Sequence, residues 1–429
     1  MHDGETLSLP RDSAPGHLEG RKGAAMGRSD RIRTPRRAKV IALGGSNWYG
    51  RRTAQLLVAS DLVSEIVIAG RNLEAAKRVA AGLGEKASAA QVDVLDEGRL
   101  ASLAADADIV VNTAGPEWVV VVPALREAIQ AGVDYCDIGG YGPTTEQALA
   151  LHDAATAAGV TAVLGAGVDP CLSNLMMVHA TRRLDHTEEL RYCIFQVVRQ
   201  YAGDAKTLLA EWREAGQAEA GWQLMMRLAA GPARHYRDGR WVDLDPLDDA
   251  VHVTLPQGHE VTAYPVGLPE PITVPRTLRE VRSVSTLVSF FPPSLNETYC
   301  ALGRRVAGGE LNESDAALSF FETVTAEHKE SPAVPTGCES GWVTWVEAIG
   351  TKEGRRTRYK CWPVGGWDTT TGPLAAVVMM ILRGDIRERG VLSPESYLEP
   401  LPFFHEVAKL EGVEPPDGTL LGESFEDLD

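Results

Sequence analysis

The chain has 429 residues, 44% hydrophobic and 24% charged, enough for two domains and a large buried core. Its net charge of −17 argues against wholesale nucleic-acid binding. The six cysteines (Cys136, Cys171, Cys193, Cys300, Cys338, Cys361) show no Cys-x-x-Cys pair and no histidine at metal spacing, as expected of reduced thiols in a cytoplasm. No apolar run is long enough to span a membrane, and the beginning of the chain lacks the apolar core of a signal peptide.

Residues 1–37 are rich in Gly, Pro, Ser and Arg without periodicity and read as a disordered arm, with Met26 as an alternative start. Val40, Ile41, Ala42 and Leu43 then form an unbroken apolar run, the pattern of a strand buried on both faces of a parallel sheet. Gly44, Gly45, Ser46, Asn47, Trp48, Tyr49 and Gly50 follow at once, and Ala54, Leu57 and Val58 lie at helical spacing. A second apolar run, Ile66 to Ala69, ends in Gly70, Arg71 and Asn72. Strand, glycine turn, helix and strand in this order build a phosphate-binding edge. Small residues let the backbone approach a pyrophosphate, and the helix N-terminus points free N–H groups at it.

The spacing is Gly-x-x-Gly-x-x-Gly with Asn47 at the middle glycine, and asparagine is the best substitute where φ must be positive. NAD and FAD sites carry Asp or Glu at the end of the second strand. Arg71 and Asn72 stand there instead, and a guanidinium suits the 2′-phosphate of NADP. NADP is therefore preferred to NAD, and both to FAD; the alternative for Arg71 is a solvated residue closing a strand.

Helix is expected over 73–83, strand over 89–94, helix over 95–105 and strand over 109–112. Helix over 122–131, strand over 135–138, helix over 146–158 and strand over 162–164 complete six strands alternating with helices, a doubly wound nucleotide-binding domain. Beyond residue 190 the β-rich stretches 190–198, 251–255 and 342–349 suggest an antiparallel sheet in a separate α+β domain, with helix over 212–228. Residues 372–382 and 394–410 read as helices, and 415–429 as a frayed acidic tail.

Loops at the carboxyl ends of parallel strands hold ligands. Asn112, Thr113, Ala114, Gly115 and Pro116 are expected under the ribose and nicotinamide, or are an ordinary turn. Asp93 could accept from the adenine amine, or cap a helix. Asp137, Tyr141 and Asp169 face the same cleft, as substrate-binding or proton-handling groups or as caps. Cys171 is either an acid near the nicotinamide or a small buried residue. His179 and His235 read as structural. Arg276 and Arg279, or Arg355, Arg356 and Arg358, suit a substrate carboxylate or an exposed strand face. Trp342, Trp345, Trp362 and Trp367 read as sheet packing, and residues 369–372 as a helix cap or a substrate contact.

Residues 44–51, 69–72, 111–116, 131–139 and 165–174, with 236–241 and 390–404, resemble the saccharopine dehydrogenase-like oxidoreductases in order and spacing. The resemblance covers most of 38–412 and departs from the family at Asn47 and at Cys171, where the Asp-Pro turn usually continues with glycine. It implies an α/β fold: a Rossmann-type doubly wound parallel sheet over 38–168, completed by helices about 368–412, with an α+β mixed-sheet substrate and dimerisation domain over 169–367 and an acidic tail over 413–429. It further implies a cytoplasmic homodimer without nucleic-acid or membrane partners, and NAD(P)H-dependent hydride transfer at a C–N bond of an amino-acid-like small molecule. Reduction of a conjugated C=C in a lipid or polyketide, or NADP binding without turnover, are the alternatives. Expected at the cofactor are Gly44, Gly45, Ser46, Asn47, Trp48, Tyr49, Gly50, Arg71, Asn72, Asp93, Asn112, Ala114, Gly115 and Pro116, and at the chemistry Asp169, Asp137 and Cys171; no metal is expected.

Overall fold

The computed structural model describes residues 37–198, 202–246, 249–327, 333–338, 341–367, 370–414 and 418–429. The arm over 1–36 and Thr369 of the 369–372 turn lie outside them. The first half alternates strand and helix: β1 (Ala38–Leu43), α1 (Trp48–Val58), β2 (Val63–Gly70), α2 (Leu73–Leu83), β3 (Ala87–Gln91), α3 (Arg99–Ala104), β4 (Ile109–Asn112), α4 (Glu117–Ala131), β5 (Asp134–Asp137), α5 (Gly142–Leu149), α6 (His152–Ala158), β6 (Thr161–Val163) and α7 (Leu172–Thr181). The β-rich half follows with β7 (His186–Val197), α8 (Ala202–Ala215), α9 (Ala220–Ala230), β8 (Ala233–Arg237), β9 (Arg240–Leu244), β10 (Val251–Thr254), β11 (Glu260–Pro265), α10 (Glu270–Thr277), β12 (Ser283–Phe291), α11 (Ser294–Ala307), α12 (Glu313–Glu327), β13 (Trp342–Lys352) and β14 (Arg355–Pro363). The chain closes with α13 (Thr371–Arg383), β15 (Gly390–Leu392), α14 (Pro400–Glu411) and β16 (Leu421–Asp427).

Seven strands form one all-parallel sheet in the order β3-β2-β1-β4-β5-β6-β15. The order reverses between β1 and β4, which makes that crevice the ligand position of a doubly wound fold. Both faces are covered. Val40 and Ala42 of β1 join the core cluster shared with α7 and α13, whereas Ile41 and Leu43 join the opposite cluster with Leu100, Ala124 and Leu125. Burial on both faces is why β1 reads as a continuous apolar run.

The second sheet runs β10-β11-β12-β7-β13-β14-β16, with β8 pairing β12 and β9. β7 splits its residues by the two-residue period of a strand. Leu190, Tyr192 and Ile194 enter the shared core, while Cys193, Phe195 and Val197 pack under Val253, Leu255 and Trp345. Trp345 and Trp367 are fully buried, the packing role read from the sequence.

Several expected boundaries move. β12 and β7 pair in parallel, so the second sheet is mixed, because helices α8 to α10 carry the chain across between them. The helix expected over 146–158 is two helices broken near Ala150. The helix expected over 212–228 is the end of α8 and most of α9. The third strand ends at Gln91, since Asp93 turns the chain by accepting from Leu95 N at 3.0 Å. A seventh strand, β15, lies in the gap between the helices expected over 372–382 and 394–410, its three residues too few to show a period. Residues expected to fray form β16, whose Tyr359–Phe425 contact and Arg355–Asp427 and Arg358–Glu426 ion pairs fasten it to β14.

Candidate functional site

The glycine turn closes around two backbone contacts. Gly44 has φ of +76°, and a Cβ there would lie 2.4 Å from Ala114 N. A Cβ on Gly50 would meet Gly44 O and Thr113 Oγ1, each at 2.5 Å. Only glycine lets the first turn of α1 sit this close to the end of β4.

Asn47 does not occupy a positive-φ position. It is the N-cap of α1, extended at φ −77° and ψ 176°, and its Oδ1 accepts from Gly50 N at 2.8 Å. Its Nδ2 donates to Thr113 O at 2.7 Å, so one side chain caps the helix and ties it to the next loop across the sheet's reversal point. The middle glycine is dispensable because the chain enters this helix through a β-region cap.

Trp48 is 56% exposed at the start of α1 and stacks edge-on with Tyr49. Arg71 is exposed just past β2 and forms no ion pair among the described residues, and its carbonyl accepts from Gln91 Nε2. Asn72 caps α2 through Ala75 N. Asp93 lies past the end of β3, whose Gln91 pairs with Gly70, so it shares the rim with Arg71.

Asn112 is buried and committed inward. Its Nδ2 donates to the Tyr135 hydroxyl at 2.9 Å and its Oδ1 accepts from Ala114 N. Thr113 bonds Leu43 O through both its N–H and its hydroxyl. The side chains thus fix the loop, and the Ala114 methyl packs against the cluster around Ile41 and Leu43.

Beyond β5 and β6 the site is built from acids. Asp137 Oδ1 accepts from Gly139 N at 2.9 Å and Gly165 N at 2.8 Å, bracing the ends of the two strands. Burial raises its pKa against those bonds. Glu117, in the first turn of α4, accepts from the N–H groups of Gly140 and Tyr141, and burial lifts its pKa to about 7. Asp169 follows β6, and a Cβ on Gly140 would lie 2.9 Å from its carbonyl oxygen. Burial and then the neighbouring Glu270 hold the Asp169 carboxyl well above its usual range, and the Glu117 charge adds to them.

Cys171 has φ of +110°, which is where glycine would be expected and why its replacement is locally strained. It is fully buried, its N–H donates to Asn174 Oδ1 at 3.0 Å, and burial pushes its thiol up, so it stays neutral. Ser173 Oγ donates to Glu270 Oε1 at 2.5 Å, and Asn174 Nδ2 donates to Glu395 Oε2 at 2.9 Å. Glu270 opens α10 and is fully buried. Burial carries its pKa to about 7 against the Ser173 bond, with the nearby Glu395 raising it further.

Helix α9 runs along the same edge. The Ala220 methyl would be 3.1 Å from a Cβ on Gly115, and Arg227 lies 5.6 Å from the ring centroids of both Trp118 and Tyr141. Arg227 also donates to Glu313 of α12 at 2.8 Å, so it ties α9 to that helix as well as to the two rings.

Other sequence candidates fall away from this edge. His179 pairs with Glu423 at 2.8 Å, and His235 is buried on Val266 O with its pKa lowered to about 4 by burial. Arg276 lies over Trp241, and Arg355 and Arg358 pair with β16. Sequence reasoning missed Glu117, Glu270, Glu395 and Arg227. The signals were an acid opening an apolar helix after Pro116, and acids beside prolines at Pro269-Glu270-Pro271 and Pro394-Glu395.

No helix among the described residues is long and apolar enough to cross a membrane, and no group of three or more His, Cys, Asp or Glu side chains among them could hold a metal ion. Residues 40–163 match the family described as saccharopine dehydrogenase NADP binding domain. The chain is 24% identical over 405 residues to carboxyaminopropylagmatine dehydrogenase of Synechocystis sp., covering 87% of this chain and 96% of that protein. It is 30% identical over 157 residues to the trans-acting enoyl reductase of Mycobacterium leprae, covering 35% of this chain and 38% of that one. The apo saccharopine dehydrogenase (L-Glu forming) of Saccharomyces cerevisiae shares the fold, with a TM-score of 0.62 at 16% identity over 91% of this chain and all of that one. Residues 40–163 thus carry the nucleotide-binding signature of that family model, and the seven-stranded parallel sheet with its mixed-sheet second domain is the fold of saccharopine dehydrogenase, which the chain resembles.

Proposed function

We propose that this protein is an NADP-dependent oxidoreductase that transfers hydride to or from a C–N bond of an amino-acid-like substrate. The observation that carries this is the meeting, on one sheet edge, of a glycine-and-cap phosphate cradle with a group of carboxyls. Gly44 and Gly50 leave the space that a Cβ would fill, and the N-terminus of the eleven-residue α1 opens onto it. Those residues would hold the pyrophosphate, the backbone of 113–116 would border the nicotinamide ribose, and Arg71 would pair with a 2′-phosphate. Bound there, the nicotinamide supplies or accepts the hydride.

The chain's own part is to orient the substrate nitrogen and to exchange a proton. Asp169 is partly exposed, and burial and then Glu270 raise its carboxyl well above the usual range, which suits a group that exchanges a proton with the substrate. Asp137 is placed to hold the β5 and β6 ends, and Cys171 the turn before α7. Reduction of a conjugated C=C in a lipid calls for an apolar pocket, and acids at this edge oppose it. The relative aligned along nearly the whole of both chains is named for carboxyaminopropylagmatine, whereas the enoyl reductase aligns over little more than a third of each.

The test is NADPH oxidation by the purified protein with a panel of keto acids and aldehydes plus amines, beside calorimetric titrations with NADPH and NADH. Turnover that requires both carbonyl and amine, with tighter NADPH binding, is expected. Reduction of an enoyl substrate without an amine, or equal affinity for both cofactors, would overturn the assignment.

A further inference from the structure

The first turns of α4 and α10, the loop between β6 and α7 and the 3-10 turn Pro394–Ser396 bring Glu117, Glu270, Asp169 and Glu395 together where the two domains meet. Glu117 and Asp169 keep partial contact with solvent, and Glu270 and Glu395 lie behind them at 0% and 5% exposure. Glu117 accepts from the Gly140 N–H, the backbone carbonyl of Asp169 lies against Gly140, and Ser173 and Asn174, shortly after Asp169, bond Glu270 and Glu395.

Among the described residues none of the four pairs with Arg, Lys or His, and every charge that acts on Asp169 and Glu270 is another carboxylate. A fully buried Glu270 also leaves Oε2 without a hydrogen-bond partner, although Ser173 satisfies Oε1. Burying like charges without a counter-ion is costly, and an unpaired buried carboxylate oxygen adds to that cost. Such a group is relieved by protons or by a cation that enters from outside. An acid group kept only to stabilise the fold would have its oxygens closed by N–H donors, as Glu127 is by Gly98 and Ala101 and Glu117 by Gly140 and Tyr141.

We propose that Asp169 and Glu270 form the subsite for the positively charged nitrogen of the substrate, an ammonium or guanidinium on an alkyl chain. This rests on the C–N oxidoreductase reading and specifies its amine. The partly exposed Asp169 meets the cation first, Glu270 Oε2 receives it, and Ser173 holds Glu270 in place. The alkyl chain then runs along the interface towards the loop of residues 113–116. An anionic or neutral amine partner is rejected, because it leaves the buried carboxyls uncompensated.

Cation binding forces ionisation of groups that are partly protonated at neutral pH, so protons are released on binding. The probes are butylammonium and butylguanidinium, with 1-butanol as the neutral control, titrated calorimetrically into the full-length protein saturated with NADP at pH 7 in two buffers of different ionisation heat. Expected are binding of both cations with net proton release, negligible binding of butanol, and at least tenfold weaker cation binding in Glu270→Gln with NADPH affinity unchanged. Asp169→Asn is the second variant, should Glu270→Gln fail to fold. Cation binding unaltered in a folded variant, or no preference over butanol, overturns the proposal. Cation binding without any turnover in the carbonyl-plus-amine panel instead overturns the enzymatic reading and leaves this subsite standing.

Discussion

The cofactor edge and the acid group lie side by side, yet they are made in opposite ways. The edge is a backbone construction: Gly44, Gly50 and the loop of residues 113–116 meet at main-chain atoms, and Asn47 ties them with two hydrogen bonds. The acid group is a side-chain construction from four separated segments, with buried carboxyls and no counter-ion among the described residues. Backbone sites tolerate little change in shape. Charge-rich sites tolerate isosteres but respond strongly to pH.

The sharpest way to break this contrast is Gly44→Val. The added atoms meet the Ala114 backbone and the φ of +76° is closed to a β-branched residue, so a loss of about 3 kcal/mol or more is expected in urea denaturation, together with NADPH binding. A variant as stable as the parent would show that the turn is looser than its geometry implies.

Next is Glu270→Gln. Folding raises the Glu270 pKa from its usual 4.5 to about 7, so the folded state holds the proton more tightly than the unfolded chain. Its contribution to stability is therefore present below about pH 4.5 and lost as pH rises through 7, by an amount on the order of 3 kcal/mol. The glutamine variant should match the parent near pH 4.5 and melt higher at pH 8. The opposite order at pH 8 would mean that Glu270 is ionised and paired.

Arg71→Asp tests the rim of the edge, where a charge-assisted contact to the 2′-phosphate is worth about 1.5–3 kcal/mol. NADPH affinity should fall by that amount in calorimetry and NADH affinity should change less. Asn47→Ala should cost about 1–2 kcal/mol of stability, through loss of the cap and of the Thr113 tie, in a chemical melt. Asn47→Gly should recover part of it, since glycine is nearly as good at an N-cap.

Legibility in the sequence follows the same division. The strand-turn-helix order of residues 38–72 is local, its periods are strong, and so the parallel sheet and its cofactor edge could be read in advance. Asn47 is a helix cap and not a positive-φ residue, a distinction the sequence hides because both positions favour the same residue type. The acids were half visible: Asp169 and Asp137 follow strands and stood out, whereas Glu270 and Glu395 belong to short proline-flanked turns with no period. Their meeting depends on where α10 and the 390s dock on α7, a tertiary fact. Cys171 illustrates the reverse, since its departure from glycine was plain and the strained φ behind it was not.

The chain leaves the parallel sheet after β6 and returns, through α13, to lay β15 directly against β6. It then crosses once more, from α14 to β16, so the mixed-sheet domain is held by three connections. Residues of both sheets, such as Val40 of β1 and Leu190 of β7, also lie in one buried cluster. A body tied at three points over a shared core resists swinging as well as twisting and sliding. Solution scattering recorded with and without NADPH is therefore expected to give the same radius of gyration, and a change at constant secondary structure would show that the two domains move.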